Sequence, residues 1–435
     1  QEVNKENKYV PVKTDNIVRE KEKKSERTKY STTYRLSNGQ YETEIYNNAI
    51  RYKDKKSGKL LDYDASLSLL ENNADLKAYK YENKSGDKKN YFPKKLREST
   101  PVITEYNDCK ISVVPVGSNI SKVSLDDEIR TQDLYGDEQE ASYSVTYSNV
   151  KENTDINITS LEDGIKENII LNEKPVSNIF DYYIEVQGCY PKLDVSSSED
   201  KYATTVSFYN KKNDEKIACI PEAFMTDSSL DGAYNNDCHY TLKKQSKGKY
   251  ILSLTVSKEY LDDDSRVYPV TIDPTITWTS STYLKNTYVA AGRQCMANYS
   301  SSANLVVGRY QNEYNYSYIG FPYLYSYSKS KSVYSAKLRL TETSESNAGK
   351  RVNMFKVNGD WEANTLTYDA RPSTDSSVYK SFTTTGINGK ILDINLDEYV
   401  SELYEGTENF SQRGFMLAQA DGSTEIEYYY AREQH

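Results

Sequence analysis

From residue 34 onward the chain is written in short alternating segments separated by turn dipeptides. "YRLSNGQYETEIYNNAIRYKDKKSGKLLDYDASL" sets the pattern, with Asn-Gly and Ser-Gly standing between runs in which β-branched or aromatic residues alternate with polar ones. Period-two patterning sends successive side chains to opposite faces of a strand, and two-residue turns join such strands into hairpins. The same grammar recurs in "CKISVVPV", "ASYSVTYSNV", "DINITSL", "KENIILN", "FDYYIEVQG" and "KYILSLTVS", and later in "ANLVVG", "YSYIGF", "YSAKLRLTE" and "GFMLAQA". An all-β fold is predicted. "DASLSLLENNADLKAYKY" comes closest to a helical stripe in the first half. "INLDEYVSELYEG" sets Leu396, Val400 and Leu403 at i, i+4, i+7 before a Gly, which predicts a helix there.

At 435 residues the chain exceeds one ordinary core. Residues 1–33, with "VREKEKKSERTK", read as a charged linker or solvated segment. Residues 34–275 read as a β-rich domain of one or two lobes, and 276–435, beginning after the Pro-marked strand starts of "YPVTIDPTI", as a separate β-sandwich. The formal charge of −9 opposes a phosphate backbone, so no nucleic-acid partner is expected. No apolar run approaches the length of a membrane span, and the opening "QEVNKENKY" is neither signal nor anchor, so an export signal would already be gone.

Chemistry-bearing clusters are sparse. The five cysteines, Cys109, Cys189, Cys219, Cys238 and Cys295, include no C-x-x-C pair, which points to isolated buried thiols rather than a metal site. The two histidines are His239 and His435; Cys238 and His239 are strand neighbours facing opposite ways, so they cannot share a proton. "DDEIR" and "LDDDSR" offer carboxylates for a glycosidase or lyase or for calcium, but consecutive Asp residues in a turn are usually solvated. No catalytic residue, metal ligand or cofactor is therefore assigned, and the chain is expected not to be an enzyme.

Two patches resemble known families. "VTYSNVKENTDIN" (145–157), "GIKENIIL" (164–171) and "YPVTIDPTI" (268–276) occur in the order seen in the N-terminal region of bacterial wall-associated and Rhs-type (YD-repeat, polymorphic toxin) surface proteins. "NTYVAAG", "ANLVVGR", "YSYIGF", "VYSAKLRL", "VNGDWEANTLTYDARPS", "LDINLDEYVSELYEG" and "GFMLAQ" with "YYYARE" resemble a DNRLRE domain. That resemblance implies a jelly roll related to carbohydrate-binding modules, some of which recognise acidic polysaccharides, and a secreted or cell-surface location. Asn286 stands where the family has Asp, so no ion-binding role is carried over. The family also continues past the "RE" into a last strand, which either a C-terminal continuation or another segment would supply here.

"NEYNYSYIGFPYLYSYSKSKS" (312–332) is the strongest aromatic concentration in a chain that has 42 Tyr but only 2 Trp and 9 Phe. The resemblance sets Ile319 and Phe321 inward, so strand parity turns Tyr316 and Tyr318 outward; "YSAKLRL" in the same way turns Lys337 and Arg339 outward. If those strands pair, a Tyr and Lys/Arg surface results, with Tyr325 and Tyr327 at its rim after Pro322. Rings stack on sugar faces and Arg grips carboxylates, so the expected ligand is a polysaccharide or cell-surface glycan, acidic in character. Adhesion or targeting of a larger polypeptide would be the role. The alternative is a structural or delivery portion of a polymorphic toxin that has no specific ligand. Trp361 is expected to pack beneath a loop.

Overall fold

The computed structural model describes residues 17–71, 74–132, 138–195, 201–229, 232–278, 283–292, 298–300, 304–310, 313–325, 331–343, 347–405, 412–420 and 426–430. Strands dominate it, as the alternation predicts, and the longest helix among the described residues has nine residues. The chain divides into two compact units. Arg51–Ser280 forms one, and Gln1–Ile50 joins Ser281–His435 to form the other.

The 51–280 unit is built from two large antiparallel sheets. One runs Cys238–Ser246, Lys249–Val256, Ile179–Gln187, Cys109–Pro115, Val102–Tyr106, Lys88–Pro93, Tyr79–Ser85 and Asp64–Leu69. Asp64–Leu69 and Tyr79–Ser85 are strands where a helical stripe came closest, with a 3-10 turn at Ala74–Leu76 between them. The other sheet centres on Ser144–Lys151, Thr154–Leu161 and Gly164–Leu171. Thr154–Leu161 buries every second residue, and its buried Ile156 and Ile158 share one core with Ile111 and Val113 of the facing sheet. The motifs "GIKENIIL" and "YPVTIDPTI" lie side by side: Ile165 pairs with Ile276, and Ile169 with Ile272. Gly164 permits this approach, since a β-carbon there would sit 2.0 Å from the Ile276 carbonyl oxygen.

Several buried polar groups of this unit are joined in one network. Asn90 donates to the Gly164 carbonyl at 2.7 Å and accepts from the Thr104 hydroxyl at 2.8 Å, while Trp278 Nε1 donates to that hydroxyl at 2.7 Å. Trp278 is thus a core residue. The many tyrosines are accommodated because their hydroxyls reach backbone carbonyls, as Tyr79 does at Pro101 and Tyr147 at Pro93.

In the second unit, Lys380–Thr385, Ala348–Lys356, Phe415–Gln419, Glu313–Gly320 and Lys285–Ala290 form one sheet, in that order. Asn304–Tyr310 pairs with Ile426–Tyr430, and Lys337–Thr341 with Ile391–Asn395. Leu305, Val307, Ile319, Leu338, Leu340, Val352, Ile394 and Leu417 meet in a sandwich core. The predicted helix is present as Asp397–Glu405, and it presents Val400 and Leu403 to that core.

Where a linker was expected, Arg19–Glu22 is a strand paired with Ser31–Leu36, which pairs in turn with Tyr41–Ile45. Tyr283 N donates to the Asn47 carbonyl at 2.8 Å and Leu284 N to the Asn47 side chain at 3.0 Å, so this ribbon is joined to the 281–435 segment. Opposite charges carry the ribbon: Arg27 grips both carboxylate oxygens of Glu22, at 2.5 and 2.6 Å.

Candidate functional site

Strand parity places Tyr314, Tyr316 and Tyr318 on one face of Glu313–Gly320 and Ile319 on the other, in the sandwich core. That outer face does not lie open along its length. The segment after Val357 folds over it, with Trp361 and Leu366 buried against Val289 and Tyr318. Trp361 meets Tyr318 edge-on at 5.6 Å and donates from Nε1 to the Arg413 carbonyl at 2.9 Å. Asn298 fastens the same segment by donating to the Ala363 and Leu366 carbonyls at 2.7 and 2.8 Å. Lys285 donates to the Trp361 carbonyl with its ammonium 4.5 Å from the indole centre; burial lowers its pKa despite nearby carboxylates.

Beyond this cover the face is aromatic and cationic. Tyr314, 43% exposed, lies 6.3 Å from Tyr316 at an interplanar angle of 11°. Tyr316 lies 6.0 Å from Tyr368 at 15°. The Arg371 guanidinium sits 3.6 Å over Tyr368 and 6.0 Å from Tyr316, and Arg309 sits 5.0 Å from Tyr314. The three rings are near-parallel with centres 6.3 and 6.0 Å apart, one guanidinium lying over the Tyr368 ring and the other beside Tyr314, so this part of the face is a row of aromatic rings with two cations against it.

Tyr318 lies next to Tyr316 along the same strand face, under the Trp361 cover. Its side chain is fully buried, and its hydroxyl has no hydrogen-bond partner among the described residues. Burial raises its pKa, and the charged group acting on it is Arg371. A buried hydroxyl left unpaired costs free energy.

The residues singled out from sequence therefore separate. Tyr316 is in the row of rings and Tyr318 next to it under the Trp361 cover. Lys337 and Arg339 do face away from the core, but their strand pairs with Ile391–Asn395 and not with the tyrosine strand, so no joint surface forms by strand pairing. Both are engaged by carboxylates: Arg339 by Asp393 at 3.0 Å and Glu44 at 2.9 Å, Lys337 by Asp393 at 3.3 Å. Tyr325 is half-buried just past the strand, and Tyr327 lies outside the described residues. Tyr314, Arg309, Tyr368 and Arg371 were not foreseen. Parity would have given Tyr314; the last two sit in "LTYDARPS", whose return onto the sheet no local pattern announces.

Elsewhere the chemistry is structural. His239 packs on Tyr202 at 5.0 Å, while burial pushes the Cys238 thiol up to about 12. Asp262 is paired with Lys174, and Asp263 turns back onto Ser265. Among the described residues no three His, Cys, Asp or Glu side chains gather as metal ligands, and no helix is long and apolar enough to cross a membrane. Cys295 lies outside the described residues.

The row of rings falls within a segment that has known relatives. Residues 277–435 match the model of Carbohydrate-binding module family 96. Over 380 residues, 84% of its length, the chain is 26% identical to the tRNA3(Ser)-specific nuclease WapA of Bacillus spizizenii. Over 302 residues, 68% of its length, it is 26% identical to the tRNA(Glu)-specific nuclease WapA of Bacillus subtilis subsp. natto and to the tRNA nuclease WapA of Bacillus subtilis strain 168. The chain spans only 15% of the first relative and 12% of the other two. These names overturn the expectation that the chain is not an enzyme: the polypeptides it resembles are named as nucleases, a function that no residue pattern within this stretch signals.

Proposed function

We propose that residues 277–435 bind a carbohydrate through the face made by Tyr314, Tyr316, Tyr368, Arg309 and Arg371, with the Tyr318 hydroxyl next to it. The observation that carries this reading is the row of near-parallel rings next to an unpaired buried hydroxyl, in the segment matching a carbohydrate-binding family. The guanidiniums favour an acidic glycan, since they supply carboxylate partners in a chain whose net charge of −9 would otherwise repel one. The setting we propose is a secreted or cell-surface polypeptide of the wall-associated nuclease kind. In it this stretch holds the molecule to a surface glycan, and activity on tRNA belongs to the longer protein.

The test is binding of the full 435-residue chain to a uronate-rich polysaccharide and to a neutral glucan, each at low and high salt. Tyr316→Ala is expected to weaken binding about tenfold, as the loss of one stacked ring costs about 1.4 kcal/mol. Arg371→Ala should remove most of the salt dependence with the uronate polymer. A folded chain that binds neither polymer would sink the reading and leave the display role within a longer toxin.

A further inference from the structure

The charged ribbon at the start of the chain holds a second concavity. Ser25, Glu26, Arg27, Thr28, Ser31, Thr33 and Thr43 line a cleft of about 280 Å³, and Lys331 closes it from the other segment of the same unit. From this we propose that the cleft is a binding site for a single neutral sugar residue, separate from the tyrosine face and built almost wholly outside the stretch that matches the carbohydrate-binding family.

Four features support the assignment. Seven of the eight wall residues come from Ser25–Thr43, where strand Ser31–Leu36 buries Ser31, Thr32, Thr33 and Tyr34 in succession. Burying three hydroxyl residues in a row is costly for a ribbon unless polar groups meet them. Second, the hydroxyls are drawn together, Thr28 to Ser31 at 2.7 Å and Thr33 to Thr43 at 3.0 Å. A hydroxyl rotor both donates and accepts, the same bifunctional chemistry that a sugar hydroxyl offers, and it can turn from one such partner to another.

Third, the charges at the cleft are matched with one another. Glu26 meets Lys23 at 2.8 Å and Lys331 at 3.4 Å, and Arg27 is taken by Glu22. The hydrogen bond from Lys23 holds the Glu26 carboxyl below its ordinary range, so that pairing is intact at neutral pH. A field cancelled in this way favours an uncharged ligand over an ion. Fourth, among the described residues no aromatic or large apolar side chain lines the walls, which disfavours a flat or greasy ligand, and the volume sits just under that of ordinary small-molecule pockets, about 300–1,000 Å³.

The site does not depend on the tyrosine face, and the experiment keeps the two apart. Methyl glucoside and methyl N-acetylglucosaminide are the probes, read by saturation-transfer NMR on the full chain. Tyr314→Ala/Tyr316→Ala disables the exposed face, and Thr33→Val and Thr43→Val remove cleft hydroxyls at nearly constant shape. Saturation transfer is expected to persist in the tyrosine double variant and to fall about fivefold in each valine variant. Because Thr33 is 2% exposed, its variant is first checked for an unchanged melting curve, and Lys331→Ala at the cleft's edge is measured beside it. Lys331→Ala should also weaken the signal by opening the cleft. Three results would each overturn the proposal: signal lost with the tyrosine variant alone, signal unchanged in folded valine and Lys331 variants, or probe displacement by millimolar inorganic sulfate, which would mark an anion site.

Discussion

Tyr318 and Glu167 show how a single buried polar atom sets behaviour at the scale of one residue. In the free protein the Tyr318 hydroxyl lacks a partner among the described residues, a cost of about 1–3 kcal/mol. Tyr318→Phe is therefore expected to stabilise the unliganded chain by about 1 kcal/mol while weakening glycan binding several-fold, as read from a melting curve and a titration calorimeter. A variant that melts lower and binds as before would show that the hydroxyl serves the fold. Glu167 lies in the core of the 51–280 unit, where burial pushes its carboxyl up to about 7 against the opposing hydrogen bond donated by Tyr182. A folded pKa above the unfolded one means that the native state holds the proton more tightly. Its contribution to stability is complete below about 4.5 and is lost as pH rises through about 7. The unit should accordingly melt lower at pH 8 than at pH 5, and Glu167→Gln should flatten that slope; an unchanged slope would refute the assignment.

Among the elements, the strands were the most legible part of the chain and the cover over the tyrosine face the least. "INITSL" reads as alternation and folds as alternation, because a strand with one buried face fixes parity. The same logic oriented Tyr316, Tyr318, Lys337 and Arg339 about their own strands. It failed on which strands pair, since the partner of Lys337–Thr341 comes from far along the chain, at Ile391–Asn395, and strand grammar carries no record of its neighbour. It failed again on exposure: an outward face is not an open one when a strandless stretch carrying Trp361 returns to cover it. That stretch gives an element-scale prediction. Trp361→Ala should cost about 3–5 kcal/mol in the sandwich unit by emptying the space beside Tyr318. It should also weaken glycan binding more than the melting shift alone explains, because Tyr368 and Arg371 lie on the same segment. Differential scanning calorimetry together with binding at a temperature well below both transitions separates the two effects.

For the whole molecule, the unit that contains nearly all of the family match is discontinuous in sequence. Glu44 receives Arg339, Glu26 receives Lys331 and Asn47 receives the backbone of Tyr283 and Leu284, so part of the unit comes from before residue 51. Its ribbon was legible as charge but not as structure, since Glu and Arg mixed at high density look alike in a linker and in a strand held by ion pairs. Removing residues 17–50 is expected to lower the melting temperature of the 281–435 portion by several degrees, read by calorimetry against the full chain; identical transitions would show the ribbon to be dispensable. The same division imposes an order on folding. During synthesis at about 5–20 residues per second, the early strands wait roughly 10–50 s for their partners while residues 51–280 are made. Over that interval Arg19–Glu22, Ser31–Leu36 and Tyr41–Ile45 are a small three-stranded ribbon with no sandwich to join, and a small sheet with no apolar partner to pack on is marginal in water. Their dense opposite charges then act as a safeguard, keeping a waiting edge soluble and unattractive to other nascent strands until the last third of the chain arrives to receive it.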